Sequence, residues 1–208
     1  MEARSRRYDL LAQLLNYPEV EGYPQTLSCA LEMLEDGYAD AAATLRPLHE
    51  HVQGMRNAEI QEMYTRTFDI NAVCTLEIGW HIYGEDYARG ALLVKFREQL
   101  RLVNVQESCE LPDHLTHVLM LLGRIGGEKA DDLAARYVLP GLNKMLEGMD
   151  ADTQPYRALI ETVSNVVRAD HDVELIVPRE HRGDPPDWKN RMPVFGAQRC
   201  GGGEGRKP

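Results

Sequence analysis

The stretch 154–169 reads QPYRALIETVSNVVRA and carries the clearest secondary-structure pattern of the chain. Its apolar side chains recur at helical intervals, which puts them on one face of an α-helix. That face consists of Tyr156, Leu159, Ile160, Val163, Val166 and Val167. The stretch therefore predicts an amphipathic helix that buries one face in a core and exposes the other to water.

The same spacing recurs through most of the chain. It predicts a first helix that ends at Pro18, a second that closes at Gly37, and later ones that include a helix over 128–147, bent near its proline. Only residues 173–177 look like a strand, and a lone strand has nothing to pair with. The sequence therefore predicts an all-α fold, a single helical-bundle domain of about seven to nine helices over residues 1–177.

Acidic residues mark two of the predicted helix starts. Glu85 and Asp86 are expected in the first turn of a long helix, where negative charge suits the helix dipole. Pro112 and Asp113 are expected to open another helix, in which Asp113 can cap the first N–H groups. For Glu85 and for Asp113, helix capping alone is an alternative to any role in binding.

The composition changes after residue 177. Residues 178–208 are rich in Pro and Gly, which predicts a flexible basic C-terminal tail that cannot support a core of its own. They hold 7 Lys and Arg against 4 Asp and Glu, whereas residues 1–177 hold 16 against 29. Trp188 and Phe195 are the exceptions in the tail, because they could dock on the domain or on a partner.

The net charge of the chain is −10, and residues 1–177 alone carry −13. An acidic surface opposes the phosphate backbone, so we expect no nucleic-acid partner, and it favours a basic one. The four cysteines lie far apart and include no Cys-x-x-Cys pair, which fits a reducing compartment. No stretch reaches the ~18 apolar residues of a membrane span, so we predict a cytoplasmic protein without a span.

The N-terminal residues Ser5-Arg-Arg-Tyr8 resemble the start of a twin-arginine export signal. Asp9 follows almost at once, and the apolar stretch after it is short and ends at Asn16. A signal needs an uncharged apolar stretch and a small-residue cleavage site. We therefore do not predict an export signal here.

Two stretches concentrate aromatic, imidazole and carboxylate groups where helices begin. They are WHIYGEDYARG at residues 80–90 and ELPDHLTH at residues 110–117. Large aromatic residues gather around the first of them, namely Tyr64, Phe68, Trp80, Tyr83 and Tyr87. A groove with an apolar floor and an acidic rim suits a peptide that is both basic and apolar.

Histidines in the same stretches provide an alternative from the class of enzymes. His114 and His117 are three residues apart, a spacing compatible with metal binding, Asp113 adjoins them, and His81 with Glu77 could add ligands. A hydrolase would use His81, His114, His117 and Asp172. His171-Asp172 also resembles the dipeptide of helical metal-dependent phosphohydrolases. A helical metal-dependent hydrolase is therefore one alternative function. A structural subunit that stays in a mature complex through its tail is another.

Four motifs of the chain recur in one protein family. They are Tyr64-x-x-x-Phe68-Asp69, Leu76-Glu77, His81-x-x-Gly84-Glu85-x-x-x-Arg89-Gly90 and Glu110-Leu-Pro-Asp-His-Leu115. In these motifs the chain resembles the nitrate-reductase delta-subunit (NarJ) chaperones, which belong with the TorD and DmsD redox-enzyme maturation proteins. The resemblance covers about residues 8–125, and its last motif is the most specific.

The resemblance implies an all-helical cytoplasmic chaperone that is not an enzyme. Such proteins bind the N-terminal segment of the catalytic subunit of a molybdopterin oxidoreductase of the dimethyl-sulfoxide-reductase family. That segment is often a twin-arginine signal or its remnant. They keep the subunit competent for insertion of its molybdenum cofactor and delay its export or membrane docking. The chaperone has no cofactor of its own, since the client carries the molybdopterin-guanine-dinucleotide, and we expect a monomer or a dimer.

The chain departs from the family's nitrate branch in two places. Tyr87-Ala88 stands where that branch usually has Arg-Asp, and Thr116 stands where a proline commonly follows. Nitrate reductase is therefore one candidate client among several. Related enzymes for selenate, chlorate, dimethyl sulfide or a hydrocarbon are equally open.

The motifs and the charge together give a specific hypothesis for client binding. We expect Glu85, Asp86 and Asp113 to meet the client's arginines. Aromatic and apolar side chains are expected to receive its apolar face. The complete set of predicted client-binding residues is Tyr64, Phe68, Glu77, Trp80, His81, Tyr83, Glu85, Asp86, Arg89, Glu110, Pro112, Asp113, His114 and Leu115.

Overall fold

The computed structural model describes residues 2–19, 21–150 and 153–176. Within these residues every regular element is helical, apart from one isolated β-bridge. The α-helical segments are α1 (Glu2–Leu14), α2 (Tyr23–Glu35), α3 (Ala39–Val52), α4 (Asn57–Tyr64), α5 (Ile78–Tyr83), α6 (Tyr87–Leu102), α7 (Leu115–Arg124), α8 (Glu128–Leu133), α9 (Leu139–Gly148) and α10 (Arg157–Asp170). The predicted tail, residues 178–208, lies outside the described residues.

Two π-helical turns interrupt the regular helices. The first, Thr65–Asp69, continues α4, and the second, Ala134–Val138, joins α8 to α9. With these joins, the described part of the chain forms nine continuous helices. The predicted all-α fold of seven to nine helices is therefore confirmed.

The helix predicted from the stretch 154–169 is α10, and its inner face is part of the hydrophobic core. The apolar residues of its inner face, Leu159, Ile160, Val163, Val166 and Val167, are all fully buried. This face packs on α3 and α9. Burying each side chain of this size stabilises the fold by about 1.5–3 kcal/mol relative to exposure, so the helix that carries the clearest pattern is also a principal source of stability.

The N-terminal helix α1 packs against α7 and α2. Gly123 of α7 permits the close approach, since a Cβ at this position would lie 2.8 Å from the Cβ of Tyr8. Ser5 also donates a hydrogen bond to the Gly123 carbonyl at 2.8 Å. The stretch that resembles an export signal is thus part of the packed helix α1.

An ion pair ties α1 to the end of α10. Arg7 donates to both carboxylate oxygens of Asp170, at 3.0 and 2.8 Å, and its guanidinium lies 4.3 Å from the centre of the Tyr38 ring. Burial alone would raise the pKa of the Asp170 carboxyl. The hydrogen bonds from Tyr38 and Arg7 and the Arg7 charge outweigh that effect and hold the pKa below its usual value.

Two predicted helix starts are wrong by one to three residues. Helix α7 begins at Leu115 and its N-cap is His114, so Pro112 and Asp113 lie before the helix. Helix α6 begins at Tyr87, and Asp86 is its N-cap, since the Asp86 carboxylate accepts a 2.7 Å hydrogen bond from the Ala88 N–H. The His114 side chain caps the first N–H groups of α7, and the Asp86 side chain caps those of α6.

The last described residues form no strand. Residues 171–176 have no regular structure, and the Ile176 N–H donates to the Ala135 carbonyl of the second π-helical turn at 3.1 Å. This turn, Ala134–Val138, lies just before Pro140, near which the sequence predicts a bend.

Within residues 2–19, 21–150 and 153–176, none of the helices has both the length and the apolar character needed to cross a bilayer.

Candidate functional site

A short backbone pairing brings the motif Leu76-Glu77 beside the motif Glu110–Leu115. Glu77 and His114 form an isolated antiparallel bridge. Beside it, the Leu115 N–H donates to the Leu76 carbonyl at 2.8 Å, and the Ile78 N–H donates to the Asp113 carbonyl at 3.0 Å. Residues 76–78 and 113–115 are therefore fixed against each other just before α5 and α7 begin.

On one side of this bridge lies a buried ion pair. Asp113 is 0% exposed, and its carboxylate accepts a 2.9 Å hydrogen bond from Nε of Arg89, whose side chain is 19% exposed. The Arg89 guanidinium also lies 5.6 Å from the centre of the Trp80 ring. The pair ties α6 to the segment before α7, and it neutralises Asp113 inside the fold.

The close approach of this carboxylate depends on Gly79, in the first turn of α5. A Cβ at this position would lie 2.5 Å from the Asp113 Oδ2 atom, which is closer than van der Waals contact allows. Gly84, which does belong to a motif, ends α5 with a φ of 58°, a left-handed conformation that suits glycine. The local backbone and packing therefore explain both glycines.

On the other side of the bridge is an open pocket with a volume of about 240 Å³. Its wall comes from the end of α1, the first π-helical turn and the two bridged segments. The lining residues are Asn16, Tyr17, Tyr64, Phe68, Asp69, Thr75, Leu76, Glu77, Glu110 and His114. No Lys or Arg is among them.

Three carboxylates make this pocket acidic. They belong to Asp69, Glu77 and Glu110, and none of the ion pairs between described residues includes any of them. Glu77 accepts a hydrogen bond from the Thr75 hydroxyl. Burial raises the pKa of the Glu77 carboxyl, and the nearby Asp113 and Glu110 charges add to this effect, while a backbone hydrogen bond and the Arg89 charge oppose it in part. A cation in this pocket would relieve that repulsion.

Aromatic rings form the apolar wall of the pocket. Tyr17 and Phe68 each contact Tyr64 edge to face, with ring centres 5.4 and 5.0 Å apart. The Tyr64 hydroxyl donates to the Leu15 carbonyl at 2.9 Å, which fixes the ring. Burial raises the pKa of Tyr64, and the neighbouring Asp69 charge raises it further. Tyr64 and Phe68 are buried, so Tyr17, which is 43% exposed, is the ring that offers most surface to an apolar or guanidinium group.

His114 supplies a neutral polar group to the same pocket. The side chain is 5% exposed, and its Nδ1 atom is bonded to Thr116, 2.8 Å from the hydroxyl and 3.4 Å from the N–H. Burial and the nearby His117 lower the pKa of His114 to about 4. With Nδ1 acting as acceptor, the neutral ring carries its proton on Nε2, which has no hydrogen-bond partner among the described residues.

Exposed apolar side chains lie on or beside the lining residues. Tyr17 lines the pocket and is exposed, while Ile70 and Leu111 are exposed and follow the lining residues Asp69 and Glu110 in the chain. Ile70 is 73% exposed. Tyr17 is thus an exposed apolar residue of the acidic pocket, and Ile70 and Leu111 are exposed apolar residues next to lining residues in the chain; these three are called the apolar rim.

The structure brings together only part of the predicted binding set. Of those residues, five line the pocket: Tyr64, Phe68, Glu77, Glu110 and His114. The other nine do not line it, and they are Trp80, His81, Tyr83, Glu85, Asp86, Arg89, Pro112, Asp113 and Leu115. Glu85 and Asp86 are exposed at the start of α6, where Asp86 acts as a helix cap.

Two of the predicted contacts are wrong in this structure. Asp113 cannot meet a client arginine, because it is fully buried and already paired with Arg89. Leu115 is also fully buried, in the first turn of α7, so it presents no apolar surface to a partner. Both residues stabilise the segment that carries the pocket instead of lining it.

The histidines of the alternative metal site make separate contacts. His81 donates from Nε2 to the Thr75 carbonyl at 2.6 Å, while the two ring nitrogens of His117 bond to Ser108 and to the Leu111 carbonyl. In the described part of the chain, no group of three or more His, Cys, Asp or Glu side chains is placed to hold a metal ion.

Sequence reasoning missed five of the lining residues. Asp69 and Leu76 lie in the quoted motifs and could have been included, and Thr75 directly precedes one of them. Asn16 and Tyr17 follow α1, far from the motifs in the chain. No local signal marks them, because their position depends on the packing of α1 against the rest of the bundle.

Comparisons with known proteins add no family assignment. No protein-family model matches the sequence, and no curated protein matches it significantly. The resemblance to the NarJ and TorD chaperones therefore stays a prediction carried by the motifs.

Proposed function

We propose that this protein is a cytoplasmic chaperone for the catalytic subunit of a molybdopterin oxidoreductase. In this proposal it binds the subunit's N-terminal segment and keeps the subunit competent for cofactor insertion before export or docking. The motif resemblance supplies the client class. The chaperone performs no reaction, and the molybdopterin-guanine-dinucleotide belongs to the client.

The observation that carries the proposal is the acidic pocket. Three carboxylates that form no ion pair with any described residue surround a cavity lined by aromatic rings, in a wall that includes residues from three of the four sequence motifs. A guanidinium group satisfies such a site in two ways, since it forms charge-assisted hydrogen bonds with carboxylates and stacks on aromatic faces. A basic peptide is the partner that this chemistry fits best.

The apolar rim supports the second half of the proposal. Tyr17, Ile70 and Leu111 provide exposed apolar surface on or next to the lining residues. A twin-arginine segment is a pair of cations followed by an apolar stretch, so its two parts match the pocket and the rim. The proposed arginine contacts are accordingly Asp69, Glu77 and Glu110, in place of Glu85, Asp86 and Asp113.

The test begins with the client. Affinity purification from the native cell identifies the large subunit that accompanies the chaperone, and its N-terminal segment is then made as a peptide. Calorimetric titration is expected to show binding that weakens as salt is added, because both partners are charged. Glu77→Gln and Glu110→Gln are each expected to weaken binding about tenfold, since a hydrogen bond to a charged group contributes ~1.5–3 kcal/mol.

Glu32→Gln is the matched control, since Glu32 is an exposed carboxylate on α2 outside the pocket. It removes the same charge and is expected to leave the affinity unchanged. Equal affinities for the wild type and both pocket variants would contradict the proposed site. Recovery of no molybdopterin oxidoreductase would contradict the proposed client.

The two alternatives make different predictions in the same preparation. Near-stoichiometric zinc, manganese or iron in the purified protein would favour a metal-dependent hydrolase. Presence of the chain in the purified, active oxidoreductase would favour a retained structural subunit. The chaperone proposal expects neither result.

A further inference from the structure

One segment of the chain carries the positive charge that would complement the acidic pocket. Residues 188–199 read WKNRMPVFGAQR, with three basic residues, no acidic residue, and the large apolar side chains of Trp188 and Phe195. The pocket has three carboxylates, no Lys or Arg, and an aromatic wall. Segment and pocket are therefore complementary in charge and in apolar character.

His114 adds a polar group to the pocket. Its Nε2 atom has no hydrogen-bond partner among the described residues and is not one of their buried unsatisfied atoms, so water in the open pocket can reach it. A backbone carbonyl of a bound peptide can replace that water as the acceptor. A basic peptide therefore offers cations for the carboxylates and acceptors for this N–H group.

The point where the described chain ends makes the contact reachable. Ile176 is anchored to Ala135 in the second π-helical turn, and α5 packs on that same turn. Helix α5 is about 9 Å long, given 1.5 Å per residue, and Glu77 at its other end lines the pocket. The 11 residues 177–187 can span roughly 35 Å, which exceeds the length of α5 several times.

We propose that residues 188–199 of this chain bind its own acidic pocket and that a client peptide must displace them. Tethering gives the segment an effective concentration on the order of 1 mM, so even a weak contact fills the pocket when no client is present. The contact rests on the pocket and the segment alone. Its consequence, a chaperone that releases its own segment when the client arrives, rests on the proposed function.

The test uses Trp188 as a reporter in the full-length chain. The chain has two tryptophans, so Trp80→Phe leaves Trp188 as the single one. We expect its emission to be blue-shifted and protected from acrylamide. Adding Glu77→Gln and Glu110→Gln is expected to shift the emission to longer wavelength and increase quenching, whereas adding Glu32→Gln leaves both unchanged. Identical spectra in all three variants, at the wavelength of free tryptophan, would overturn the proposal.

A second measurement avoids reliance on the Trp80 substitution. A labelled synthetic peptide of residues 188–199 is titrated into the full-length wild type and into a Lys189→Ser, Arg191→Ser, Arg199→Ser variant. The variant is expected to bind the peptide about tenfold more tightly, because its own segment no longer competes. Equal affinities, or no binding to either protein, would overturn the proposal while leaving the client experiment unaffected.

Dilution distinguishes binding within one chain from exchange between two copies. Contact within a chain predicts Trp188 emission that is independent of protein concentration and a monomeric mass in sedimentation. Emission that shifts with dilution, together with a dimeric mass, would contradict it and assign the contact to a second copy.

Discussion

The two sides of the Glu77–His114 bridge differ sharply, although neighbouring residues build them. On one side Asp113 is buried and neutralised by Arg89. On the other side His114, the next residue, lines an open pocket whose carboxylates have no cationic partner among the described residues. Asp113 lies in the turn that the His114 N–H closes on the Leu111 carbonyl, whereas His114 lies in the bridge itself, and these two adjacent motif residues reach different environments.

This difference distinguishes residues that stabilise the site from residues that are available to bind a partner. An ion pair inside the fold has its charge compensated and has no surface to offer. Carboxylates that repel one another in an open pocket are stabilised when a cation arrives. The motif ELPDHL therefore contains both a buried structural residue and pocket-lining residues. Substituting the buried residue should lower stability, whereas substituting a pocket carboxylate should lower binding affinity.

The largest effect is expected where the ion pair is broken. Asp113→Asn leaves the Arg89 charge uncompensated in a side chain that is 19% exposed, and it should lower the free energy of unfolding by about 3 kcal/mol. Urea denaturation measures this loss. The exposed Glu85→Gln, nearby in the other motif, should change stability by less than about 0.5 kcal/mol. An unchanged urea midpoint for Asp113→Asn would remove the distinction between the two sides.

The next effect is a pH dependence from His114. Its pKa of about 4 in the folded protein lies below the usual 6.5, so between these values the unfolded chain binds more protons than the folded one. The stabilising contribution is complete above pH 6.5 and is lost as the pH falls. Between pH 7 and pH 5 the loss should be about 2 kcal/mol.

His114→Asn tests this pH dependence, because asparagine keeps a capping acceptor for α7 and does not titrate. The unfolding free energy of this variant should fall less between pH 7 and pH 5 than that of the wild type. His51→Gln, at an exposed position on α3, serves as the control and should retain the wild-type slope. A wild-type slope in His114→Asn would contradict the assignment.

A smaller loss is expected from crowding the ion pair. Gly79→Ala puts a Cβ 2.5 Å from the Asp113 Oδ2 atom, and such overpacking should cost roughly 1–2 kcal/mol. Gly90→Ala is the matched control, since Gly90 lies in α6 and a Cβ there meets no atom within 4 Å. That change should stabilise the protein by about 0.5–1 kcal/mol. Thermal denaturation of the pair gives the sign of each effect, and a stable Gly79→Ala would show that the carboxylate can move.

The smallest effect on stability is expected inside the pocket. Glu110 is exposed and belongs to none of the ion pairs between described residues. Glu110→Gln should therefore change the unfolding free energy by no more than about 0.5 kcal/mol, while its effect appears in binding. A loss as large as that of Asp113→Asn in the same urea titration would show that Glu110 is structural as well.

The helical fold could be predicted because the apolar residues of a helix recur at a spacing that is visible in the sequence. The apolar face of α10 repeats at helical spacing, and the same spacing recurs in most other helices. Helix α3 gave no separate prediction, because Pro47 lies inside it and its buried face consists partly of alanines. The π-helical turns have no comparable sequence pattern. Their position follows from packing, although one of them places Phe68 and Asp69 in the pocket.

The candidate site could be predicted only in part, because partners distant in the chain decide which residues are available. Three residues of the motifs, Glu77, Glu110 and His114, line the candidate pocket. A sequence shows that Asp113 is a carboxylate, but not that Arg89, 24 residues earlier, neutralises it. Tyr17 reaches the same pocket from the end of α1, and no local pattern indicates that contact.

The most direct test compares the two sides of the bridge in one titration. The client's N-terminal peptide is titrated calorimetrically into Glu110→Gln and into Asp113→Asn, under conditions where circular dichroism shows both variants to be folded. We expect about tenfold weaker binding for Glu110→Gln and wild-type affinity for folded Asp113→Asn. Weakened binding by Asp113→Asn together with unchanged binding by Glu110→Gln would contradict it, because the client's cation would then be bound by the buried carboxylate and not by the pocket.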